Sequence, residues 1–312
     1  MRFEKLSSRP RILLLGSSGQ VGSDLKILLP EFAQLHSPER AHLDLLNPES
    51  IRKYVRDISP NVIVNAAAYT AVDQAESESD IAHAINCIAP ATLAEAAARE
   101  GALLIHYSTD YVFDGAKIGP YLESDAINPL NVYGRSKAAG EQAIQRSGCR
   151  HFIFRTSWVY SPRGSNFLLT MLRLASQRDE LRIVNDQIGA PTSSRSIANA
   201  SALIVRDVLA REREIPFSGI YHMTDSGQTS WFGFASDILQ GASELLGTRL
   251  PRLSPIKTTE YPTPARRPLN SVLSCQKLCA AFTLAMPPWQ QSLASVLHAV
   301  QRERQKSPAG AS

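Results

Sequence analysis

A glycine-rich turn between a buried strand and a helix is the feature that most restricts how this chain can fold. Residues 11–15 (RILLL) form a continuous apolar run, which is typical of a strand buried on both faces. The turn at residues 16–22 (GSSGQVG) follows directly and opens a helical stretch, Val21–Leu29, which ends before Pro30. Glycines here allow close backbone approach to a pyrophosphate, and a helix N-terminus offers it free N–H groups. The segment predicts a dinucleotide-binding site.

Apolar strand-like runs alternate with helical stretches over the first half of the chain. The predicted strands are residues 61–67, 103–108 and 151–156, and the predicted helices are residues 81–100 and 133–146. This alternation indicates parallel strands joined by crossover helices, so the predicted fold class is α/β with a Rossmann-type doubly wound parallel sheet.

The pattern loosens beyond about Tyr160, where prolines and turns accumulate. This change predicts a smaller, mixed C-terminal substrate lobe. We expect residues 1–160 to form mainly the dinucleotide-binding domain. Residues 161–300 are expected to form mainly the substrate-binding lobe, with some segments returning to the first domain, and residues 301–312 a flexible tail.

Composition excludes several functional classes. The 312 residues are 44% hydrophobic and 20% charged, with a net charge of +4, as in ordinary soluble enzymes. Dense clusters of Lys and Arg with interleaved aromatics are missing, so nucleic acid is not an expected partner. The sequence has neither an apolar leader nor a run of eighteen apolar residues, so no membrane association is expected. Four scattered cysteines predict free thiols and a cytoplasmic location.

A tyrosine and a lysine lie one turn apart at the start of a predicted helix, in residues 133–137 (YGRSK). A nearby ammonium favours the phenolate and would bring the pKa of Tyr133 towards neutrality. An exposed i,i+4 pair also explains this spacing. However, Thr109 ends a predicted strand at the sheet edge where ligands bind. Tyr133, Lys137 and Thr109, in order after the glycine turn, predict the catalytic site of a dehydrogenase.

The residues after the second predicted strand bear on the choice of cofactor. An acidic residue at the end of this strand would bind the 2′-hydroxyl of NADH, but in residues 35–40 (LHSPER) no Asp closes the strand. Ser37 and Arg40 could hold a 2′-phosphate, which favours NADPH, with NADH as the alternative. Arg40 could equally be a solvated surface residue. Asp44 and Leu45 are expected beside the adenine.

Longer motifs resemble one family, the dTDP-4-dehydrorhamnose reductases, which are extended short-chain dehydrogenases/reductases. The resemblance runs from about Arg11 to about Gln290. The motifs that carry it are residues 65–73 (NAAAYTAVD), 106–115 (HYSTDYVFDG), 129–134 (PLNVYG), 155–160 (RTSWVY), 186–192 (DQIGAPT) and 267–271 (RPLNS). It implies hydride transfer from the reduced nicotinamide to the C4 ketone of dTDP-4-dehydro-6-deoxy-L-mannose, giving dTDP-L-rhamnose.

The same resemblance assigns roles residue by residue. It implies that Tyr133 donates the proton, that Lys137 tunes Tyr133 and binds the nicotinamide ribose, and that Thr109 holds the substrate carbonyl. With the glycine turn, the implied cofactor-binding residues are Gly16, Gly19, Gln20, Val21, Gly22, Ala66, Ala67, Ala68 and Tyr107. The implied substrate-binding residues are Thr109, Asp110, Tyr111 and Trp158, with Arg267 at the diphosphate. Trp158 could instead be a core aromatic residue, and Arg267 a surface residue before a proline turn.

The chain departs from the family at one point. Some members are described as pairing through a magnesium site built from carboxylates, and the corresponding positions here are Asp24 and Arg195. Because an arginine cannot ligate a cation, we predict no metal, and a monomer or a homodimer without a metal bridge.

Two other functions fit the sequence. The chain could reduce another nucleotide-linked 4-keto-6-deoxy sugar with the same Tyr133 and Lys137 chemistry. It could also be a non-catalytic NADP-binding regulatory subunit, like the beta subunit of methionine adenosyltransferase, which shares this fold. The complete set of Thr109, Tyr133 and Lys137 argues against a regulatory protein, which would bind NADP(H) without oxidising it.

Overall fold

The computed structural model describes residues 9–210, 218–246 and 250–306. Its strands in chain order are β1 (Arg11–Leu15), β2 (Gln34–His36), β3 (Val62–Asn65), β4 (Leu103–Thr109), β5 (Arg150–Thr156), β6 (Val159–Tyr160), β7 (Glu180–Val184), β8 (Ile188–Gly189), β9 (Thr192–Ser193), β10 (Gly219–His222), β11 (Thr229–Ser230) and β12 (Arg252–Ile256). Its α-helices are α1 (Gln20–Leu28), α2 (Pro48–Ile58), α3 (Ser79–His83), α4 (Ala89–Glu100), α5 (Val132–Arg146), α6 (Phe167–Ala175), α7 (Ser194–Ala210), α8 (Trp231–Gly241), α9 (Ser243–Leu246), α10 (Gln276–Phe282) and α11 (Trp289–Lys306).

A six-stranded parallel sheet organises the larger domain, in the order β2-β1-β3-β4-β5-β10. β1 pairs with β2 on one side and with β3 on the other. The order of the strands therefore reverses beside β1, and such switch points open a ligand-binding crevice at the carboxyl ends of the strands. The predicted α/β doubly wound fold is confirmed.

Helices cover both faces of this sheet. On one face, α1, α7 and α10 bury Leu25, Ile197 and Leu278 against the apolar strands. On the other face, the sheet packs against α2, α4 and α5, with Ile51 and Leu93 fully buried. Each fully buried aliphatic side chain contributes about 1.5–3 kcal/mol, so these layers hold the strand ends rigidly in place.

One helical segment, Ser79–Glu100, is long and apolar enough to cross a membrane by length and composition, with a mean hydropathy of 1.2. It joins α3 and α4 through a π-helical turn at Ala84–Ile88. Half of the segment is buried inside the fold, and α4 packs against α2 and α5. Core helices of globular proteins pass the same test, so we assign this helix to the core of the larger domain.

The smaller lobe has a separate core in which α6, α8 and α11 enclose Leu168, Phe234 and Trp289. Its short strands are mixed, because β7 and β12 pair in parallel while β8 and β11 pair antiparallel. α7 and β10 return to the larger domain. The structure differs from the predicted tail at 301–312, because α11 continues through 301–306; residues 307–312 lie outside the described residues.

Candidate active site

The glycine turn packs directly on the end of β3. Gly16 has a left-handed φ of +73°, and a Cβ there would lie 2.5 Å from the backbone nitrogen of Ala67. A Cβ on Gly22 would lie 2.0 Å from the carbonyl oxygen of Gly16. Both positions therefore require glycine. No side chain caps the N-terminus of α1, so its first N–H groups face the crevice and fit the pyrophosphate of a dinucleotide.

A cavity of about 560 Å³ adjoins this turn, and we call it the cofactor cavity. Arg40 lines it together with Lys26, a cation that the sequence analysis missed although it lies one helical turn after Gly22. Ser37 is not among its lining residues, and Val21 packs against the core instead. The other predicted cofactor residues in its wall are Gly16, Gly19, Asp44, Leu45, Ala66, Ala67 and Ala68.

A second cavity of about 730 Å³, the substrate cleft, lies between the sheet edge and the smaller lobe. Gln20, the first residue of α1, lines this cleft. Its side-chain oxygen accepts a hydrogen bond from Asn166 at 3.0 Å, so the start of α1 is joined to the residues of the smaller lobe. The predicted residues that the structure brings together in this cleft are Thr109, Asp110, Tyr111, Tyr133, Trp158 and Arg267. Sequence reasoning missed Asp73 and Trp231, which also line it.

Tyr133 enters the cleft from the first turn of α5, where the Asn131 side chain caps the helix by accepting from Gly134 N–H at 2.7 Å. The Tyr133 ring contacts the edge of Tyr111, with 5.8 Å between centroids. Burial raises the pKa of Tyr133 to about 12; the Thr109 side chain opposes this, and the charge of Asp110 adds to it. The phenol is therefore protonated at neutral pH and available as a proton donor.

Asp110 is a buried carboxyl group beside this phenol. Its Oδ1 accepts a hydrogen bond from the Thr109 hydroxyl at 2.9 Å. Burial raises the pKa of Asp110 to about 7, although hydrogen bonds from Thr109 and Ser271 favour its ionised form. Thr109 thus links the acidic group to the phenol.

Lys137 lies wholly inside the protein, with its side chain turned towards β4. Its Nζ donates to the carbonyl oxygen of Tyr107 at 2.6 Å and lies 3.2 Å from Nε2 of His106. Burial lowers the pKa of Lys137 to about 8, against the opposing effect of Glu141. Among the described residues, no hydrogen bond joins Lys137 to Tyr133, so the expectation that Lys137 brings down the Tyr133 pKa is not met in this conformation.

Tyr107 does not line the cofactor cavity as the resemblance implied. Its side chain points to the opposite face of the sheet and donates to the hydroxyl of Ser201 on α7 at 2.7 Å. Successive side chains of a strand alternate between faces, so only the carbonyl of Tyr107 reaches the site, through Lys137.

Two further predicted residues, Trp158 and Arg267, line the same cleft as Tyr133. Trp158 has a left-handed φ of +46° and stacks on Trp231 with 3.5 Å between ring centroids. Trp158 was expected either to bind the substrate or to be a core aromatic residue. The structure places it in both settings, because it packs in the smaller lobe and also lines the cleft. Arg267 donates to Asp73 at 2.7 Å, and its side chain is only 23% exposed. Its guanidinium is therefore held in place within the cleft.

The position that departs from the family's magnesium site holds an ion pair instead. Asp24 accepts from the Ser194 hydroxyl at 2.6 Å and lies 3.7 Å from Nη1 of Arg195. Within the described ranges, no group of three or more His, Cys, Asp or Glu side chains could hold a metal ion. The absence of a metal remains a prediction.

The sheet, the phosphate-binding turn and the tyrosine–lysine helix define a Rossmann-type, nicotinamide-dependent oxidoreductase. The family model described as the RmlD substrate binding domain matches residues 10–302. The chain therefore belongs to the RmlD family, to which the dTDP-4-dehydrorhamnose reductases belong, and the family predicted from the sequence is confirmed.

Individual relatives agree. The chain is 47% identical to the dTDP-4-dehydrorhamnose reductase of Burkholderia thailandensis, over 91% of this chain and 96% of that protein. It is 45% identical to the enzyme of the same name from Escherichia coli strain K12, over 92% and 97%. The structure of dTDP-4-dehydrorhamnose reductase from Bacillus anthracis in complex with NADP superimposes with a TM-score of 0.85 at 35% identity, covering 94% of this chain and all of that one.

Proposed function

We propose that the protein reduces the C4 ketone of dTDP-4-dehydrorhamnose to dTDP-L-rhamnose with NADPH, in dTDP-rhamnose biosynthesis. One observation carries the proposal: Tyr133 and Thr109 line a cleft at the carboxyl edge of the sheet, and Gln20 in the wall of that cleft directly follows Gly19 in the wall of the cofactor cavity. The names of the relatives supply the substrate, and the NADP bound to the Bacillus anthracis enzyme supports the cofactor.

The nicotinamide, when bound, supplies the hydride. The protein's own residues supply the proton and the orientation. The Thr109 hydroxyl, which donates to Asp110 at 2.9 Å, can rotate to donate to the ketone oxygen instead. Tyr133 donates its phenolic proton to that oxygen as the alkoxide develops. Because Thr109 is buried and Tyr133 is partly buried, water has reduced access to the reacting atoms, and hydrogen bonds to the developing charge are strengthened.

Substrate binding is assigned to two other residues of the cleft, Arg267 and Trp158. Arg267 presents a planar guanidinium suited to the paired oxygens of a diphosphate. Asp73 holds this guanidinium at 2.7 Å, so it is oriented before the substrate arrives. The flat surface of Trp158, fixed by the stacked Trp231, offers an apolar face to the 6-deoxy sugar.

Oxidation of NADPH, followed at 340 nm, tests the function. We expect the protein to oxidise NADPH when dTDP-4-dehydrorhamnose is present. In a parallel assay, NADH should support slower turnover of the same substrate. A regulatory subunit would bind NADPH without oxidation that depends on the ketone. A reductase of another sugar would turn over a different nucleotide-linked 4-keto-6-deoxy hexose faster, so either result would contradict the proposal.

Arg40 provides a test of cofactor preference. We expect Arg40→Ala to weaken NADPH binding by roughly ten- to a hundredfold while leaving NADH binding almost unchanged, because a charge-assisted hydrogen bond to phosphate contributes about 1.5–3 kcal/mol. Binding titrations with each cofactor measure this. Arg99→Ala, at an exposed position of α4 outside the cofactor cavity, is the matched control. Equal weakening of NADPH and NADH binding would show that Arg40 does not recognise the 2′-phosphate.

We further propose that the protein acts in the cytoplasm as a monomer or homodimer without a bridging metal. The Asp24–Arg195 ion pair supports this, since a guanidinium occupies the place of a second carboxylate. The molar mass measured by light scattering should then be the same with and without EDTA.

A further inference from the structure

A buried chain of polar groups connects the cofactor cavity to Lys137. The backbone N–H of Ala67, in the cavity wall, donates to Oδ1 of Asn65 at 3.2 Å. Nδ2 of Asn65 lies 3.1 Å from Nδ1 of His106, its partner across β3 and β4. Nε2 of His106 lies 3.2 Å from Nζ of Lys137. Asn65 is 2% exposed and His106 is fully buried, so both side chains must find their hydrogen-bond partners within the protein.

The direction of each hydrogen bond follows from the first one. An N–H of Ala67 can only donate, so the Asn65 oxygen faces Ala67 and the Asn65 amide nitrogen donates to Nδ1 of His106. A neutral imidazole that accepts at Nδ1 carries its proton on Nε2. That N–H points at Nζ of Lys137, and an ammonium has no lone pair with which to accept it.

We propose that Asn65 and His106 are positioning residues for Lys137. Asn65 orients the His106 imidazole so that its N–H faces Nζ of Lys137, and this N–H favours the neutral amine form of Lys137. This geometry agrees with the directions in which the pKa values of His106 and Lys137 are shifted. Burial and the charge of Lys137 hold the pKa of His106 well below its usual range, which keeps the imidazole neutral. Burial also lowers the pKa of Lys137 to about 8.

The other charged groups around Lys137 act in the opposite direction or are already paired. Glu141, one turn further along α5, favours the ammonium, but Arg155 on β5 binds both oxygens of Glu141, at 2.9 and 2.6 Å. Asp110 lies at the end of β4 and affects Tyr133. The imidazole N–H is therefore the polar group beside Nζ that opposes the ammonium.

The consequence for the reaction rests on the proposed reductase function. When Tyr133 gives its proton to the ketone oxygen, a phenolate remains and must be reprotonated. Because no hydrogen bond in the described part of the chain joins Lys137 to Tyr133 directly, an ammonium at Lys137 returns a proton to this phenolate through a bridging water, and it becomes the amine that His106 stabilises. Turnover then falls as pH rises through the pKa of Lys137, because the ammonium form is lost.

Asn65→Asp tests the proposal because it exchanges donor and acceptor in the hydrogen bonds from residue 65 through His106 to Lys137, while the side-chain volume stays nearly constant. One carboxylate oxygen still accepts from Ala67, while the other accepts from a proton on Nδ1 of His106. Nε2 then presents a lone pair to Lys137 and favours the ammonium. We expect the alkaline limb of the kcat profile to move upwards by about one pH unit. Asn185→Asp, which adds the same charge at an exposed position, should leave that limb in place.

Long-range ¹H–¹⁵N spectra of the histidine rings, with NADPH bound, provide a readout that does not depend on turnover. The His106 signals are assigned by their loss in His106→Gln. We expect the wild-type ring to be protonated on Nε2, and the ring in Asn65→Asp to be protonated on Nδ1. A wild-type proton on Nδ1 overturns the proposal, and so does a reversed ring with an unmoved alkaline limb. Should the dTDP sugar not be reduced at all, the proposed function fails while the spectra still decide the protonation of His106.

Discussion

Tyr133→Phe is expected to reduce kcat by roughly a thousandfold and to leave NADPH affinity unchanged, because general acid catalysis contributes about 10²–10⁴-fold. The substitution removes one hydroxyl group from a ring that keeps its edge contact with Tyr111. A phenol is ordinarily protonated at neutral pH, and burial, which raises the pKa of Tyr133 to about 12, favours this form further. Its loss therefore removes the proton donor and little packing. Stopped-flow measurement of hydride transfer, with a separate titration of NADPH, measures both quantities.

Tyr54→Phe is the matched control, since it removes the same oxygen from a partly buried tyrosine that packs on the core away from both cavities. This variant should keep full turnover. Wild-type kcat in Tyr133→Phe would mean that another group protonates the ketone oxygen. A parallel loss of NADPH binding would assign Tyr133 to cofactor binding instead.

The turn between β1 and α1 shows what a sequence can predict about such a site. Gly16 and Gly22 are required where backbone approaches backbone, and this requirement appears in the sequence as a fixed spacing. The ends of strands can be predicted from the sequence equally well. Because the apolar run of β4 stops at Thr109, the side chains at this point lie at the edge of the sheet. The sheet and the floor of both cavities could therefore be predicted from local patterns.

Contacts between distant segments could not be predicted in this way. Trp231 reaches Trp158 only because α8 packs against α6 in the smaller lobe. The pairing of Asn65 with His106 depends on β3 lying beside β4, and no local pattern encodes that register. The direction of the Lys137 side chain is set by the Tyr107 carbonyl on the neighbouring strand. The sequence thus identified Lys137 but misjudged which group it contacts.

Breaking the buried ion pair behind Lys137 should cost more stability than any surface substitution. Arg155 binds Glu141 through two hydrogen bonds, and the two side chains are 3% and 1% exposed. Arg155→Met leaves the Glu141 carboxylate buried without a partner, and we expect the free energy of unfolding to fall by about 3–5 kcal/mol. Urea unfolding at fixed pH, without NADPH so that ligand binding does not add to stability, measures this loss.

Two further variants separate the cost of an unpaired buried charge from the loss of an arginine. Arg182→Met breaks an ion pair with Glu260 of similar length, 2.8 Å, but that arginine is 60% exposed. It should therefore cost less than about 1 kcal/mol. The double variant Arg155→Met/Glu141→Leu removes both buried charges and should recover most of the stability lost in Arg155→Met. If the double variant is as unstable as Arg155→Met alone, packing of Arg155 against Phe113 at 5.0 Å, rather than the unpaired carboxylate, accounts for the loss.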